Sequence, residues 1–276
     1  MRSDFCVFIL THGRPHNVKT LTTLKAAGYT GKTYLVCDDG DKKLQAYINK
    51  FGKENVLIFS KTEIAKYFDE ADNFEHRTAI VYARNACWKL AKQVGVKYFI
   101  QLDDDYTWFG YRTAEKSKKM TNIDVIFELL VNFLENTPIL SVAFSQGGDH
   151  IGGYDDNKKI KRKAMNSFVC TIERPFRFLG KINEDVNTYV NLGNRGGIFF
   201  TIMNIQLTQV ATQQSDGGMT SAYINAGTYV KSFYSVLFNP SCVTIKIMGT
   251  TNKRLHHSID WDLAVPCIIQ EKHKKI

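Results

Sequence analysis

The stretch KYFIQLDDDYTWFG, residues 97–110, decides how the rest of the chain is interpreted. Its first half is largely apolar and aromatic, as in a strand that is buried on both faces of a sheet. That strand ends in Asp103, Asp104 and Asp105, three carboxylates that repel one another. An acidic capping turn is the structural alternative for isolated acids, but placement at a strand end favours a site that binds a cation.

The segments around this stretch alternate between short apolar runs and helical patterns. Each apolar run is ended by polar residues, and each helical pattern repeats apolar residues at helical spacing. Pro15 suits the first turn of the first helix, and Gly28 follows its end. Strands that alternate with helices through short links predict an α/β protein with a single Rossmann-like, mostly parallel central sheet flanked by helices. The predicted strands are 5–10, 32–37, 55–59 and 96–102, and the predicted helices are 15–27 and 74–94.

The pattern changes after residue 110, where strands predominate and a Gly-rich, charged loop interrupts them. This change predicts a smaller region of mixed strands beside the parallel sheet. Because no repeat and no linker separates the two parts, we expect a single domain over 1–276. The strands predicted here are 139–144, 167–172, 196–203, 235–239 and 242–248, and the predicted helices are 122–135 and 218–231.

The composition indicates a basic globular protein with reduced thiols. There are 36 Lys and Arg residues against 27 Asp and Glu, so the net charge is 36 − 27 = +9, which favours a polyanionic partner. The six cysteines are dispersed singly, without a C-x-x-C pair, as in a cytosolic protein. The N-terminal apolar run reads as a first strand and not a signal peptide, and no segment has the roughly 20 apolar residues of a membrane span. We therefore expect a cytoplasmic protein without membrane contact.

The acidic triplet has the pattern of a metal site. Residues two apart on a strand share a face, so Asp103 and Asp105 can converge on one point while Asp104 faces away. A small number of carboxylate oxygens suits Mg²⁺ or Mn²⁺, which complete their coordination with water and substrate phosphates.

Other polar residues lie where parallel strands would place them beside this triplet. Thr11 and Arg14 follow the first strand, and Asp39 follows the second, where an acidic residue can accept from a nucleobase or ribose. Arg77 and Arg84 are spaced to share one face of the predicted helix, where two guanidiniums could hold a diphosphate or a base. A solvated basic face and an ordinary DDG turn are the structural alternatives.

Two downstream pairs could complete the site. Glu184 and Asp185 begin a predicted helix that Asn183 would cap, so a carboxylate here could act as a general base or could merely complement the helix dipole. His256 and His257 lie beside cationic residues, where one imidazole could complete the metal's ligands. A solvent-exposed basic loop is the alternative for the histidine pair.

Together these motifs resemble those of a known family. THGRP after the first strand, DDG after the second, ARN on the next helix, D-x-D at the following strand end, a downstream ED and a late His are similar to the pattern of GT-A glycosyltransferases. The finer resemblance is to the phage TET-associated glycosyltransferases, which add sugars to 5-hydroxymethylpyrimidines in phage DNA. The resemblance runs over nearly the whole chain and is more specific in its early part.

The resemblance implies a nucleotide-sugar donor, most often a UDP-sugar, and Mn²⁺ or Mg²⁺ as cofactor. It implies that 1–110 form the nucleotide-sugar-binding half and that 111–276 form the acceptor-binding half. For the late His, His257 is preferred to His256. With the patterns above, the expected roles are donor binding by Thr11, Arg14, Asp39, Arg77, Arg84 and Asp104, metal binding by Asp103, Asp105 and His257, and proton abstraction by Asp185 with Glu184 as the rival.

The acceptor implied by the resemblance is DNA that contains a hydroxymethylated pyrimidine, modified in the cytoplasm of a phage-infected cell. Tyr106, Trp108 and Phe109 could stack on a displaced base or on the sugar, or could belong to the core. Two alternatives stay open: a glycosyltransferase with a protein, glycan or small-molecule acceptor, and a non-catalytic DNA-binding module with a GT-A-like fold. Five cations of one run could neutralise DNA phosphates: Lys158, Lys159, Lys161, Arg162 and Lys163.

Overall fold

The computed structural model describes residues 1–72, 77–113, 116–150, 161–209, 230–249 and 253–265. Within these ranges the chain forms a nine-stranded sheet, a two-stranded sheet and seven α-helices. The strands are β1 (Phe5–Leu10), β2 (Lys32–Asp38), β3 (Val56–Phe59), β4 (Tyr98–Asp103), β5 (Tyr106–Arg112), β6 (Ser117–Lys119), β7 (Ser141–Ser145), β8 (Ser167–Thr171), β9 (Phe199–Gln209), β10 (Val243–Met248) and β11 (Arg254–Ile259). The helices are α1 (Lys19–Ala26), α2 (Leu44–Phe51), α3 (Lys61–Ala65), α4 (Val81–Gln93), α5 (Ile123–Glu135), α6 (Glu184–Gly193) and α7 (230–238).

The central sheet has the strand order β3-β2-β1-β4-β8-β7-β9-β5-β6. Its first four strands run parallel to one another, and β8 begins the mixed part by pairing antiparallel with β4. The predicted α/β class, with a central sheet flanked by helices, is confirmed. Most of the mixed strands continue the same sheet, whereas β10 and β11 form a smaller antiparallel sheet of their own.

The centre of the sheet is buried on both faces, as its apolar sequence predicted. Every residue of β1 is buried, and its side chains alternate between two hydrophobic cores. Phe8 belongs to the core that includes Trp88 of α4, whereas Phe5 packs on Phe127 of α5 with 5.1 Å between the ring centroids. Burying one such side chain contributes about 1.5–3 kcal/mol. These two cores fix the strands whose carboxyl ends carry the polar residues.

The register brings those carboxyl ends together. Leu10 of β1 pairs with Asp103 of β4, so Thr11 comes next to Asp104.

The turn after α1 is tight at Gly28, which has φ +82, and a Cβ there would lie 2.3 Å from the carbonyl oxygen of Thr121. Glycine is therefore required at the point where the sequence predicted the helix to end.

Two predicted helices begin later than their apolar spacing suggested. α1 begins at Lys19, so Pro15 lies in the loop before it and not in its first turn. α4 begins at Val81 instead of residue 74, and residues 73–76 lie outside the described part of the chain. The apolar positions were correct, but periodicity alone does not define where a helix begins.

The strand predicted over 235–239 is wrong, because residues 230–238 are helical. Tyr234 and Ser235 are buried whereas Leu237 is 76% exposed, so one side of α7 packs on the protein. A short apolar run cannot be assigned to a strand or a helix by its pattern alone. The helix predicted over 218–231 lies outside the described residues, except for its last two positions, which are helical.

Three strands were not predicted, and one of them is the short β6, which pairs antiparallel with β5. β5 follows the acidic triplet directly and pairs antiparallel with β9, and β11 contains both late histidines and pairs with β10. Each of these strands is stabilised by its pairing with another strand. The apolar pattern of one segment does not reveal such a partner.

The described cysteines are free thiols, as their spacing predicted. Among the described helices, none combines the length and the apolar character that a membrane span needs. Cys267 lies outside the described residues. The five described cysteines are buried free thiols: Cys6, Cys37, Cys87, Cys170 and Cys242.

Candidate active site

A cavity of about 410 Å³ lies at the carboxyl edge of β1, β2 and β4. This is the edge at which α/β sheets bind their ligands, because the loops that follow parallel strands converge there. The second half of the chain contributes to the same cavity through α6, α7 and β11. Of the side chains predicted for the site, the lining contains Thr11, Arg14, Arg84, Asp103, Asp104, Asp105, Glu184, Asp185, His256 and His257.

Asp104 anchors the loop that follows β1. Its side chain is buried, and its Oδ2 accepts a hydrogen bond from the Thr11 hydroxyl at 2.6 Å while its Oδ1 accepts from the Arg14 guanidinium at 2.7 Å. Burial raises the pKa of Asp104 to about 6, and Arg14 and Thr11 oppose this rise. Because the protein supplies a donor to both oxygens, Asp104 positions Thr11 and Arg14 at the cavity.

Arg84 is the buried cation at the centre of the site. Its Nη2 lies 3.0 Å from Oδ1 of Asp103, and its Nε donates to Oε1 of Glu184 at 2.9 Å. Burial raises the pKa of Asp103 to about 7, against the opposing charge of Arg84. Within the described residues, the buried Nη1 of Arg84 has no hydrogen-bond acceptor. One guanidinium thus joins β4 to α6 and keeps a donor for a further acceptor.

Asp103 and Asp105 have the donor chemistry of a cation site. Oδ1 of Asp105 is buried and accepts no hydrogen bond from the described residues. Burial raises the pKa of Asp105, with the charge of Asp104 adding to the rise, and the charge of Asp105 in turn adds to the raised pKa of Asp103. Buried carboxylates without sufficient donors are unfavourable unless a cation neutralises them. The chemistry of these carboxylates therefore suits a divalent ion, while the ligand atoms of Asp103, Asp105 and His257 do not all lie within 4.8 Å of one another in this structure.

His257 lies in β11 on the lining of the same cavity. Burial lowers its pKa to about 4, and the positive charges of His256, Lys231 and Lys163 add to this effect. The imidazole is therefore neutral at physiological pH, which is the form that binds metals. His256 stacks beside it at 4.3 Å between ring centroids, and its Nδ1 lies 2.6 Å from the carbonyl oxygen of His257.

A second acidic group lies beside the first at the ends of β1 and β2. In the described part of the chain, His12, Asp38 and Asp41 are the one set of three whose ligand atoms all lie within 4.8 Å of each other. Their oxygens are already bonded: Asp38 contacts His12 at 2.6 Å and Lys61 at 2.9 Å, and Asp41 accepts from the backbone nitrogen of Gly13 at 2.7 Å. These bonds make the group a support for the two loops, in contrast to Asp105, whose Oδ1 accepts no hydrogen bond from the described residues.

Glu184 and Asp185 begin α6 at the cavity wall, as predicted. Glu184 pairs with Arg84, whereas Oδ1 of Asp185 accepts from the backbone nitrogen of Val186 at 2.8 Å. Burial raises the pKa of Asp185, Glu184 adds to the rise, and Lys231 opposes it. The two neighbouring acids thus lie in different surroundings, and the raised pKa of Asp185 suits a proton acceptor.

Asn183 does not cap α6 in the way that the sequence suggested. It has a left-handed backbone with φ +54, and its side chain makes no capping hydrogen bond. Its Nδ2 donates to the carbonyl oxygen of Lys231 at 2.7 Å and to Ser235 Oγ at 3.2 Å. Asn183 therefore ties α6 to α7 and fixes the orientation of Lys231 beside the acids.

Two residues predicted for donor binding lie away from the cavity lining. Asp39 is exposed in the turn after β2 and does not line the cavity, whereas the preceding Asp38, the last residue of β2, does. Arg77 lies before α4, so it does not share a helix face with Arg84, and both its Nε and its Nη2 donate to Glu70 at 3.0 Å. The expectation that both arginines project from one helix is wrong.

Several lining residues were not singled out from the sequence. Asp38 belongs to the DDG motif, which marked its position. The others carry no local signal because separate segments bring them together: Lys61, Gln146, Asn166, Gln209 and Lys231.

The aromatic and basic residues considered for DNA differ in what they can contact. Tyr106 and Phe109 are buried in the core, so neither can stack on a displaced base. Trp108 is half-buried. In the basic run, Lys161 pairs with Asp262, Arg162 donates to the carbonyl oxygen of Asp149, and Lys163 lines the cavity. Lys158 and Lys159 lie outside the described residues.

Solved structures with this fold define the class of protein. The chain is similar to the mannosyltransferase PcManGT from Pyrobaculum calidifontis, solved with GDP-Man and Mn²⁺, with a TM-score of 0.52 and 11% identity. That match covers 78% of this chain and 59% of the mannosyltransferase, less than two thirds of its length. The fold is that of the GT-A glycosyltransferases.

Two other solved structures resemble the chain at lower TM-scores. Glucosyl-3-phosphoglycerate synthase from Mycobacterium tuberculosis, in complex with Mn²⁺, UDP and phosphoglyceric acid, has a TM-score of 0.47 and 10% identity, over 96% of this chain and 88% of that one. S. aureus TarS in complex with UDP-GlcNAc has a TM-score of 0.44 and 10% identity, over 75% and 59%.

The family model assigns the chain within this class. The chain belongs to the TET-associated glycosyltransferase family, whose model matches residues 5–218. Comparison with curated protein sequences found no match. The matched range includes the acidic triplet, Arg84 and the Glu184–Asp185 pair, and it ends before β11.

Proposed function

We propose that the protein moves a sugar from a nucleotide-diphosphate sugar, with UDP as the expected carrier, to the hydroxymethyl group of a modified pyrimidine in DNA. The observation that carries this proposal is the convergence of the Asp103–Asp105 acids, Arg84 and the Glu184–Asp185 pair on one cavity. Family membership supports sugar transfer. The nucleotide sugar and Mn²⁺ in the mannosyltransferase of the same fold support the donor class and a metal cofactor.

The metal would be Mn²⁺ or Mg²⁺, held by Asp103, Asp105 and His257. Asp105 supports this assignment most directly, because its buried Oδ1 has no partner in the described residues. When bound, the ion would neutralise the charge that develops on the departing diphosphate. Arg84 would donate its unpartnered Nη1 to a phosphate oxygen, while Asp103 and Glu184 keep the guanidinium charged and oriented.

Asp185 would remove the proton from the acceptor hydroxyl. Its raised pKa makes it a better proton acceptor than an exposed carboxylate, and its place on the cavity lining gives it access to a substrate. Glu184 is the weaker candidate because its carboxylate is paired with the buried Arg84. Glu184 would then orient Arg84. Through Arg84 it would act on the departing diphosphate, whereas Asp185 would act on the acceptor hydroxyl.

DNA is the acceptor that the charge and the family both favour. The net charge of +9 suits a polyanion, and Lys163 and Lys231 lie on the cavity lining. A hydroxymethyl group on a pyrimidine is reached from the major groove or after base flipping. The core position of Tyr106 and Phe109 means that stacking on a flipped base would depend on other residues.

The test is a transfer assay with the purified full chain. The protein is incubated with Mn²⁺ and a panel of UDP-sugars, and with DNA that contains 5-hydroxymethylcytosine, 5-hydroxymethyluracil or neither. We expect UDP release together with a mass increase of one sugar on modified DNA, abolished by EDTA and by Asp105→Asn. No turnover of any donor would contradict the proposal, and so would sugar transfer that Asp103→Asn and Asp105→Asn leave unaffected.

The same assay distinguishes the two alternatives. UDP release that is indifferent to all three DNAs but is stimulated by a protein, glycan or small molecule would identify a glycosyltransferase with another acceptor. DNA binding that weakens with salt but is unaffected by EDTA or UDP, with no release of UDP, would identify a non-catalytic DNA-binding module.

A further inference from the structure

Part of the cavity lining is built from side-chain amides that no sequence motif marked. Gln146 follows β7, Asn166 precedes β8, and Gln209 is the last residue of β9. These strands lie in the mixed half of the sheet, where β8 pairs with β4, the strand that leads into the acidic triplet, and β9 pairs with β5, the strand that follows it. An amide both donates and accepts hydrogen bonds, as a sugar hydroxyl does.

Asn166 connects this group to the acids at the end of β4. Its Oδ1 lies 3.5 Å from Nη2 of Arg84, the same nitrogen that lies 3.0 Å from Oδ1 of Asp103. Its Nδ2 donates to Oε1 of Gln209 at 3.4 Å. The amides therefore adjoin the group proposed to bind the diphosphate. Since the transferred sugar is bonded directly to that diphosphate, its hydroxyls come within reach of these side chains.

The backbone of each amide is held in place. Asn166 has φ +54, and its carbonyl oxygen accepts from the Tyr106 hydroxyl at 2.6 Å. Gln209 pairs with Tyr106 across β5 and β9. The backbone nitrogen of Gln146 donates to Oδ2 of Asp149 at 2.8 Å. Recognition sites on a fixed backbone hold their geometry without a ligand, which favours selectivity.

Gln146 keeps a hydrogen-bond donor that the described part of the protein does not use. Its Nε2 is buried and has no acceptor among the described residues. A buried donor without a partner is unfavourable, and a ligand oxygen would satisfy it. A second glutamine of the same region, Gln206, makes the contrast clear: its Oε1 accepts from Arg112 at 3.1 Å, and it does not line the cavity.

We infer that Gln146, Asn166 and Gln209 form the subsite for the hydroxyls of the transferred sugar and determine which sugar is accepted. This inference rests on the proposed function, since it assigns a part of the same cavity. A site built to hydrogen-bond a hydroxyl discriminates strongly against an analogue that lacks it or presents it elsewhere, because its own polar groups then stay unpaired.

The test compares donor preference with nucleotide affinity. For the wild type, kcat/KM is measured with the best UDP-sugar and with an epimer of that sugar, and the Kd of UDP is measured by calorimetry in the presence of Mn²⁺. The variants are Gln146→Ala, Gln209→Ala and Asn166→Gly, since glycine keeps the left-handed backbone of residue 166 while removing the amide. Gln206→Ala is the matched control.

The expected result is a loss of preference without a loss of nucleotide binding. In at least one cavity variant the ratio of kcat/KM between the best donor and its epimer should fall by about tenfold or more, the effect of one hydrogen bond, while the Kd of UDP stays within about twofold. Gln206→Ala should keep the ratio of the wild type. Circular dichroism and thermal unfolding identify any variant that misfolds, and Asn166→Asp then replaces Asn166→Gly.

Two results would overturn the sugar subsite. One is an unchanged donor ratio in all the cavity variants, and the other is a loss of UDP affinity that matches the loss of activity. Failure of the proposed function has a different signature, because the wild type itself would then neither bind UDP nor turn over any donor.

Discussion

The buried guanidinium of Arg84 donates to Glu184 at 2.9 Å, although 100 positions separate the two residues. Arg84 lies in α4, against the parallel part of the sheet, and Glu184 is the first residue of α6. The same guanidinium contacts Asp103 at the end of β4. This contact therefore couples the two halves of the chain at the cavity, and removing it would leave two acids without their cation.

We expect Arg84→Met to be strongly destabilising and Arg77→Met to be nearly neutral. Breaking a buried pair by removing one partner costs about 3–5 kcal/mol, because the remaining charge is buried and unpaired. The Arg77–Glu70 pair is more exposed, and Glu70 keeps the hydrogen bond from the Tyr82 hydroxyl when Arg77 is removed. Urea unfolding of both variants measures the difference. Equal free energies of unfolding would show that Arg84 is not the structural link that its contacts suggest.

Mn²⁺ is expected to raise the melting temperature of the wild type but not that of Asp105→Asn. A ligand that binds the native state at about 100 times its Kd stabilises it by about 2.7 kcal/mol. Without metal, Asp105→Asn should be at least as stable as the wild type, because it removes a buried carboxylate whose Oδ1 has no donor in the described residues. Differential scanning fluorimetry with and without Mn²⁺ measures both effects.

Asp104→Asn is the control for that experiment. Because Thr11 and Arg14 occupy both oxygens of Asp104, the variant should lose stability, by about 1–3 kcal/mol, but should keep the shift produced by Mn²⁺. If the Mn²⁺ shift disappears in Asp104→Asn and persists in Asp105→Asn, the assignment of the two acids is reversed.

Sugar transfer should decline as the pH falls below neutrality. Burial, with Glu184, raises the pKa of Asp185 to about 7, so the carboxylate is protonated below that pH and cannot act as a base. The pH profile of kcat/KM should therefore decrease by about tenfold per unit on its acidic limb. Asp185→Asn should remove most of the activity at every pH.

Lys231 provides a check on the assignment of that limb. Its charge lowers the pKa of Asp185, so Lys231→Met should move the acidic limb to higher pH. A limb that does not move in Lys231→Met, or that persists in the residual activity of Asp185→Asn, would assign the titration to another group.

DNA binding should weaken with salt, and Lys163 should contribute to that dependence. Removing one cation that binds a phosphate reduces the slope of log K against log salt by about 1. Lys163→Gln, at the cavity, should show this reduction. Lys118→Gln, on the exposed outermost strand β6 and not on the cavity lining, should not. Fluorescence anisotropy over a salt series measures the slopes, and equal slopes for both variants would place the DNA elsewhere.

Local patterns predicted the part of the site that lies on the parallel strands. β1, β2 and β4 are buried apolar runs, so their ends and the polar residues at those ends could be read directly. Asp39 and Arg77 were misplaced because each prediction depended on a detail that spacing does not fix. For Asp39 the detail was the residue at which β2 ends, and for Arg77 it was the position at which α4 begins.

The sequence by itself determined the α/β class, the parallel arrangement of β1, β2 and β4, and the acidic edge of the sheet. A strand that is buried on both faces must be apolar along its length, so its polar residues are confined to its ends. Only the tertiary structure decided which carboxylates are already bonded and which are not. It separates Asp104, satisfied by Thr11 and Arg14, from Asp105, whose Oδ1 has no partner among the described residues. It also brought the amides of Gln146, Asn166 and Gln209 to the cavity, through contacts between strands that no local pattern encodes.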